Sequence, residues 1–286
     1  MFRKYGYLGI ALLLAGQLSI ALRLPVLAQW YFPIVWFGYI LTMDAVVFKL
    51  RGHSLIINKP LIFLALVGMS SLVWWTFEFI GYILGNWHYT GLEGFGSRFW
   101  VLVFGTVSFS TVIPAVFETS MVVRSFHLFD KLKLRARYNM SKAFLYGMVL
   151  IGLASFFLTI GWPKYFFPLV WLTFFLILDP VNYLNKQPSI ISHLKDRELA
   201  IPVSIFVGAT ICGFFWEFWN FWAIPKWYYT IPFVDFWRVF EMPALGYLGY
   251  GPFGWELYAM YNFVISLHRH RPDDHIFRLI GDRAIR

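Results

Sequence analysis

Apolar stretches of similar length recur along the whole chain, separated by short segments that hold most of the charged residues. A helix that crosses a bilayer needs about 20 consecutive apolar residues. The stretches that approach this length are 5–22, 30–48, 61–84, 99–123, 143–161, 166–184, 199–222 and 239–266. The pattern therefore predicts an all-α, polytopic membrane protein with about eight transmembrane helices.

The last stretch differs from the others because prolines and glycines interrupt it. Pro243 and Pro252 flank a run that also holds Gly246, Gly249 and Gly251. Proline removes a backbone donor and clashes with the preceding turn, so a straight, continuous helix is not expected here. Broken backbone within a membrane is tolerated where it is buried or lines a cavity, and closely spaced glycines also allow close helix packing. Both explanations remain open on the sequence alone.

The two halves of the chain share a series of motifs in the same order. FPIVWFGYILTMDAV (32–46) and FPLVWLTFFLILDPV (167–181) are identical at seven of fifteen positions, including Asp44 and Asp179. The motifs that follow in both halves are WHYT (87–90) and WYYT (227–230), FW (99–100 and 236–237), and PAVFE (114–118) and PFGWE (252–256). The chain is therefore predicted to be a duplicated four-helix unit.

The duplication suggests a division of the chain into four parts. These are a first membrane repeat (1–123), a basic cytoplasmic connector (124–142), a second membrane repeat (143–266) and a basic cytoplasmic tail (267–286). Four helices per repeat is an even number, so both halves enter the membrane in the same direction. We therefore expect a parallel repeat about a pseudo-two-fold axis along the membrane normal.

The basic residues indicate the orientation of the chain. There are 24 Lys and Arg against 15 Asp and Glu, a formal net charge of +9. With eight spans, nineteen of these basic residues lie on the side that carries both termini, which the positive-inside rule makes cytoplasmic. We expect a multi-pass protein of a bacterial inner membrane, in contact with membrane lipids and with no nucleic-acid partner.

The N-terminal segment has a second interpretation, as a secretory signal peptide cleaved near Ala28. Its apolar run is long for a signal peptide, and a comparable helix (143–161) opens the second half, where no cleavage is possible. The comparison favours a retained first span.

Seven of the fifteen acidic residues fall inside the predicted spans, which hold no Lys or Arg. They are Asp44, Glu78, Glu118, Asp179, Glu217, Glu241 and Glu256. An ionisable group within a membrane is expensive, so it indicates a functional site unless it lies at a helix end or links helices by hydrogen bonds. Asp44, Asp179 and Glu241 lie near predicted helix ends, where a structural role competes with a functional one.

The repeated glutamates are the candidate catalytic residues: Glu78, Glu118, Glu217 and Glu256. The candidate lining or supporting residues are Trp87, Tyr89, Trp227, Tyr229, Asp44, Asp179, Asn220 and Glu241. The Trp and Tyr residues also fit an interfacial aromatic belt. Only His88 lies near these motifs, and the single cysteine, Cys212, excludes a multi-cysteine metal site. We expect no metal and no cofactor.

In their order, these motifs resemble the integral-membrane lycopene cyclases of the heterodimeric or fused type. The similar segments are WWTFE, WHY and PAVFE in the first half, and FWE, WYY, EMP and PFGWE in the second, within 74–118 and 215–256. The resemblance implies tandem membrane domains that cyclise a polyene. The Pro-x-Glu-Glu signature of that family is replaced here by Pro-x-x-x-Glu, and each half has four predicted helices where the family has about three.

Three functions remain open. The first is a cofactor-free enzyme that acts by acid-base chemistry on a lipophilic small molecule of the polyisoprenoid or carotenoid type, as a cyclase or isomerase. Carboxyl groups would donate and remove protons, and aromatic faces would stabilise a carbocation. The second is a proton-coupled transporter or carrier. The third is a non-catalytic subunit that binds a membrane-protein partner.

Overall fold

The computed structural model describes residues 1–136 and 138–268, and helices hold 74% of them. Most of the predicted basic tail lies outside the described residues. The α-helices are α1 (Lys4–Ala21), α2 (Pro25–Gln29), α3 (Tyr31–Arg51), α4 (Leu55–Asn58), α5 (Pro60–Leu84), α6 (Arg98–Phe109), α7 (Val112–Ser125), α8 (Lys142–Gly161), α9 (Pro163–Phe166), α10 (Val170–Leu184), α11 (Ile190–Lys195), α12 (Ala200–Trp222) and α13 (Tyr250–His268).

Short strands and 3₁₀ helices connect the long helices on one side of the structure. The strands are β1 (Trp87–Thr90), β2 (Lys226–Tyr229), β3 (Arg238–Val239) and β4 (Met242–Pro243), and the 3₁₀ helices are η1 (Leu92–Phe95), η2 (Phe167–Leu169) and η3 (Ala244–Gly249). Strand β1 pairs with β2, and β3 pairs with β4, both antiparallel. The first pair joins the two halves of the chain across about 140 residues.

Among the described residues, six helical segments are long and apolar enough to cross a membrane. They are Tyr31–Arg51, Pro60–Leu84, Arg98–Ser125, Lys142–Gly161, Pro163–Leu184 and Ala200–Trp222. Large apolar side chains on their outer faces are exposed, among them Leu61 and Leu72 of α5, as expected for surfaces in contact with lipid tails. The chain is therefore a multi-pass helical membrane protein.

The final predicted span is broken, as its prolines and glycines predict. Its first part forms the β3-β4 hairpin and the 3₁₀ helix η3, and a regular helix begins only at Tyr250. The prediction that Glu241 starts a membrane helix is therefore wrong. Glu241 lies in the hairpin turn, where it pairs with Lys226 at 2.5 Å and approaches Arg238 at 3.9 Å. Hydropathy missed this because apolar residues surround the hairpin.

Glycines set how closely the main helices approach one another. A Cβ atom on Gly9 of α1 would lie 2.7 Å from the carbonyl oxygen of Gly38 on α3. On α12, a Cβ on Gly208 would lie 2.4 Å from the Ser120 hydroxyl of α7. Both pairs of helices therefore pack at close backbone distance. Between α5 and α13, by contrast, aromatic rings fill the space: Phe77 and Phe253 have ring centroids 5.6 Å apart.

Candidate functional site

The β1-β2 pair brings the two aromatic motifs together. Trp87 lies opposite Tyr229, and Tyr89 lies opposite Trp227. Each strand follows closely on the helix that carries a repeated glutamate, α5 for Glu78 and α12 for Glu217. Each tyrosine can therefore fold back onto the glutamate of its own half.

Glu78 is held by an indole and a phenol. The Tyr89 hydroxyl donates to its Oε1 at 2.6 Å, and Trp74 Nε1 donates to the same oxygen at 2.9 Å. Trp74 lies one helical turn before Glu78 on α5, so helix geometry alone places the two side chains together. Gly81 lies on the same helix, where a Cβ would be 1.9 Å from the Trp87 ring. The absence of a side chain there lets Trp87 pack against α5.

Glu217 is held by two phenols. Tyr229 and Tyr250 donate to its Oε1 at 2.7 and 2.6 Å. Its side chain is fully buried, and Oε2 has no hydrogen-bond partner among the described residues. Gly213, one turn earlier on α12, gives Tyr250 room to reach the carboxyl, since a Cβ there would lie 2.2 Å from the Tyr250 ring.

Asn220 fixes the aromatic motif of the second half. Its amide nitrogen donates to the Trp227 carbonyl at 2.7 Å, and its amide oxygen accepts from the Trp227 backbone N–H at 2.8 Å. The Trp227 indole in turn donates to the Tyr229 hydroxyl at 2.7 Å. A chain of hydrogen bonds therefore runs from Asn220 through Trp227 and Tyr229 to Glu217.

The side-chain hydroxyls of Tyr89 and Tyr229 stay protonated. Burial, and then the adjacent Glu78 carboxyl, raise the pKa of Tyr89 well above its ordinary value. Burial, and then Glu217, have the same effect on the pKa of Tyr229. Both hydroxyls therefore carry a proton throughout the physiological pH range and act as donors to the carboxyls.

The two Glu-Tyr pairs adjoin one cavity of about 420 Å³. Its wall includes five tryptophans and three tyrosines, and it contains no charged side chain in the part of the chain that the structure describes. These aromatic residues are Trp74, Trp87, Trp171, Trp216, Trp227, Tyr89, Tyr229 and Tyr250. Glu78 and Glu217 lie directly behind this wall, because their hydrogen-bond donors form it.

The rim of the cavity is apolar. Three residues line the cavity and are also exposed on the protein surface: Pro168 of η2, and Leu245 and Leu248 of η3. Leu248 has an exposed fraction of 71%. An apolar rim beside lipid-facing helices gives lipophilic molecules access, and none of the described residues that line the cavity is charged. The cavity is therefore suited to an uncharged, lipophilic ligand.

The other two repeated glutamates lie away from this cavity. Glu118 is fully buried in α7, where Asp44 and Tyr5 are its ionisable neighbours. Glu256 is fully buried in α13, and its Oε1 accepts from the backbone N–H of Phe174 at 2.7 Å. Neither residue lines the cavity. The structure thus brings together Glu78 and Glu217 but does not bring all four glutamates to one centre.

The repeated aspartates support helix starts. Asp179 accepts from the backbone N–H groups of Ile190 and Ile191 at 2.8 and 2.9 Å, at the beginning of α11. Asp44 accepts from Ile56 N–H at 3.0 Å in α4 and from the Tyr5 hydroxyl. Backbone donors at the start of a helix have no partner within it, and a carboxyl group satisfies them. These contacts are the structural role that the sequence left open for both aspartates.

Several wall residues were not predicted from the sequence. Trp74 carries a usable signal, because it precedes Glu78 by four positions within WWTFE. Trp171 and Tyr250 carry none, because they reach the site only through the packing of α10 and α13 against other helices. Asn86 and Ser108 also line the cavity and look unremarkable among the polar residues of the sequence.

In comparisons by sequence and by fold, the chain matches no family model, no curated protein and no solved structure. The resemblance to the lycopene cyclases therefore remains a prediction from the motifs.

Proposed function

We propose that this chain is a membrane-embedded enzyme that moves protons to and from a lipophilic, polyisoprenoid-like substrate in the aromatic cavity, as a cyclase or isomerase. One observation carries the proposal: two hydrogen-bonded Glu-Tyr pairs, one from each half of the chain, meet at a single uncharged aromatic cavity. Buried carboxyls beside an apolar pocket are a common arrangement in active sites.

The chemistry requires no second reactant. One pair delivers a proton to a carbon of a double bond, and the other pair takes a proton from a different carbon, so the product has the formula of the substrate. In each pair the phenol faces the cavity. In the pair that acts as the acid, the phenol gives its proton to the substrate as the protonated carboxyl behind it replaces that proton; in the other pair, the phenol passes its proton to an ionised carboxyl as it takes one from the substrate. Each turnover thus leaves the first carboxyl ionised and the second protonated, and proton exchange with solvent restores both. The faces of Trp171 and Trp216 stabilise the carbocation formed between the two steps.

Two observations favour an enzyme over a carrier. A carrier would be supported by Glu118 or Glu256 facing a water-filled cavity that opens to one side of the membrane. Both are fully buried and neither lines the aromatic cavity, whose wall in the described part of the chain is uncharged and whose rim is apolar. A non-catalytic subunit is distinguished by experiment, because turnover by the isolated chain excludes that role.

Expression in a carotenoid-accumulating bacterial host tests the proposal. We expect a new isoprenoid product in the lipid extract, because the cavity and both proton-transfer pairs belong to this one chain. The product should disappear when either Glu78→Gln or Glu217→Gln replaces the native protein. An unchanged extract from cells that contain folded protein, repeated with several lipid classes, would contradict it.

The proposal includes the finer topology: eight spans in two parallel repeats, with both termini on the cytoplasmic side of a bacterial inner membrane. It is supported by matching helix contacts, since α3 packs on α1 and α7 in the first half as α10 packs on α8 and α13 in the second. The β1-β2 pairing is symmetric as well, because the tryptophan of each strand lies opposite the tyrosine of the other: Trp87 opposite Tyr229, and Trp227 opposite Tyr89.

Cysteine labelling tests this topology, because the one native cysteine, Cys212, is buried. In oriented membrane vesicles, we expect a membrane-impermeant maleimide to label Lys133→Cys only from the cytoplasmic face and Glu93→Cys only from the opposite face. Both positions are exposed. Labelling of both from the same face would contradict an arrangement of eight spans.

A further inference from the structure

Two polar side chains in the cavity wall have no hydrogen-bond partner within the described residues. Ser108 is 4% exposed, and its Oγ is buried and unpaired. Asn86 is 6% exposed, and its side-chain amide makes no hydrogen bond to the described part of the chain but is not among the fully buried polar atoms; its backbone carbonyl accepts from Thr230 N–H at 2.9 Å. Both residues line the cavity.

The unpaired Ser108 hydroxyl contrasts with its neighbours. Ser70 donates to the Phe109 carbonyl at 2.6 Å, and Ser110 donates to the Val107 carbonyl at 2.7 Å. The Thr111 hydroxyl donates to the carbonyl of Ser108 itself at 2.6 Å. Hydroxyls in apolar helices usually bond to a backbone carbonyl in this way. The buried Ser108 hydroxyl therefore lacks a hydrogen bond within the described residues, which is unfavourable unless a ligand forms one with it.

The two polar groups lie toward opposite ends of the cavity. Trp74 and Leu84 both line it and are ten residues apart on α5, which corresponds to about 15 Å along the helix. Asn86 lies two residues after Leu84 and is therefore near the Leu84 end of the cavity. Ser108 lies toward the Trp74 end, because the nearby carbonyl of Thr106 accepts a hydrogen bond from Ser71 of α5 at 3.1 Å. Aromatic rings occupy the wall between them.

We propose that the cavity selects an oxygenated lipophile, whose hydroxyl or carbonyl groups bind Asn86 and Ser108, over a hydrocarbon of the same skeleton. This rests on the proposed function in one respect, that the cavity holds a lipophile. An amide offers both a donor and an acceptor, and a hydroxyl offers the same pair. A hydrocarbon would leave the buried Ser108 hydroxyl unsatisfied and would offer nothing to the Asn86 amide, and an alcohol or ketone would pair with either group.

A matched pair of probes tests the selection: all-trans-retinol and axerophtene, the hydrocarbon that lacks the retinol hydroxyl. Binding to detergent-purified protein is followed by energy transfer from the cavity tryptophans to the polyene. We expect the native protein to bind retinol about tenfold more tightly than axerophtene. The double variant Asn86→Leu with Ser108→Ala should bind the two equally, with axerophtene affinity close to native.

Ser204→Ala is the control, because Ser204 is also buried and its hydroxyl has no hydrogen-bond partner among the described residues, but it does not line the cavity. It should keep the native preference for retinol. Ser108→Ala alone gives a measurement that does not depend on how the Asn86 variant folds. The ligand-free variant should melt at or above the native temperature, because no protein bond is lost. Retinol carries a single hydroxyl, so a retinol affinity that falls toward that of axerophtene places this hydroxyl at Ser108, and an unchanged affinity overturns the role of Ser108 and leaves Asn86.

The outcomes separate the two proposals. Equal binding of the two probes by the native protein, or a retinol preference that survives in the double variant, overturns the selection for an oxygenated ligand and leaves the cavity as a lipophile site. Binding of neither probe overturns this inference and also removes the basis of the proposed function.

Discussion

Replacing Glu217 with glutamine is expected to reduce turnover by about 10²- to 10⁴-fold, the range associated with loss of a general acid or base, while leaving lipophile affinity nearly unchanged. The glutamine carbonyl can still accept the hydrogen bonds that Tyr229 and Tyr250 donate to Oε1. The amide is neither an acid nor a base near neutral pH, so only the chemical step is affected. Product formation and probe binding, measured on the same purified variant, separate the two effects.

The same substitution at Glu118 tests whether catalysis involves only Glu78 and Glu217 or all four repeated glutamates. Glu118 is as fully buried as Glu217 but lies away from the cavity. We expect Glu118→Gln to retain turnover in protein that folds. The assignment of the reaction to the Glu-Tyr pairs is wrong if Glu217→Gln keeps native turnover, or if folded Glu118→Gln loses as much as Glu217→Gln.

Replacing Asp179 with alanine is expected to lower the free energy of unfolding by about 2 to 6 kcal/mol, since each buried donor left unpaired contributes about 1 to 3 kcal/mol. Asp179 accepts from two backbone N–H groups, those of Ile190 and Ile191, and both residues are buried. Thermal unfolding of the variant in detergent, followed by tryptophan fluorescence, measures the loss.

Asp44→Ala provides a graded comparison. Asp44 accepts from a single backbone donor, that of the half-buried Ile56, together with the Tyr5 hydroxyl. Tyr5 can turn toward the nearby Ser54 hydroxyl, 3.4 Å away, so the expected loss is smaller. A larger loss for Asp44→Ala than for Asp179→Ala would contradict the assignment of Asp179 as the principal support of its helix.

Hydropathy predicted the membrane helices well because each is a long, continuous apolar run. The six helical segments long and apolar enough to span a membrane correspond to six of the predicted stretches. It failed at the last stretch, where apolar residues form the β3-β4 hairpin and η3 around Glu241. Average hydropathy cannot distinguish apolar residues that surround a cavity from those that face lipid.

The candidate site could be predicted in part. Motif repetition identified Glu78 and Glu217, and the aromatic residues that follow them do lie beside them. Repetition also selected Glu118 and Glu256, which do not line the cavity, because a repeated motif alone does not distinguish carboxyls beside the cavity from carboxyls buried elsewhere. The pairing of two four-residue strands about 140 positions apart, and the arrival of Tyr250 at Glu217, depend on helix packing that no local pattern encodes.

In the proposed function, the two Glu-Tyr pairs exchange protons with a lipophile in the cavity. Its most direct test is the transfer of deuterium from solvent to lipid. Purified protein is incubated in D₂O with the lipid extract of a carotenoid-accumulating host, and the lipids are examined by mass spectrometry. We expect at least one isoprenoid to gain deuterium with the native protein and to gain none with Glu78→Gln or Glu217→Gln. If folded native protein leaves every lipid unlabelled, or if both variants label as the native protein does, the claim is wrong.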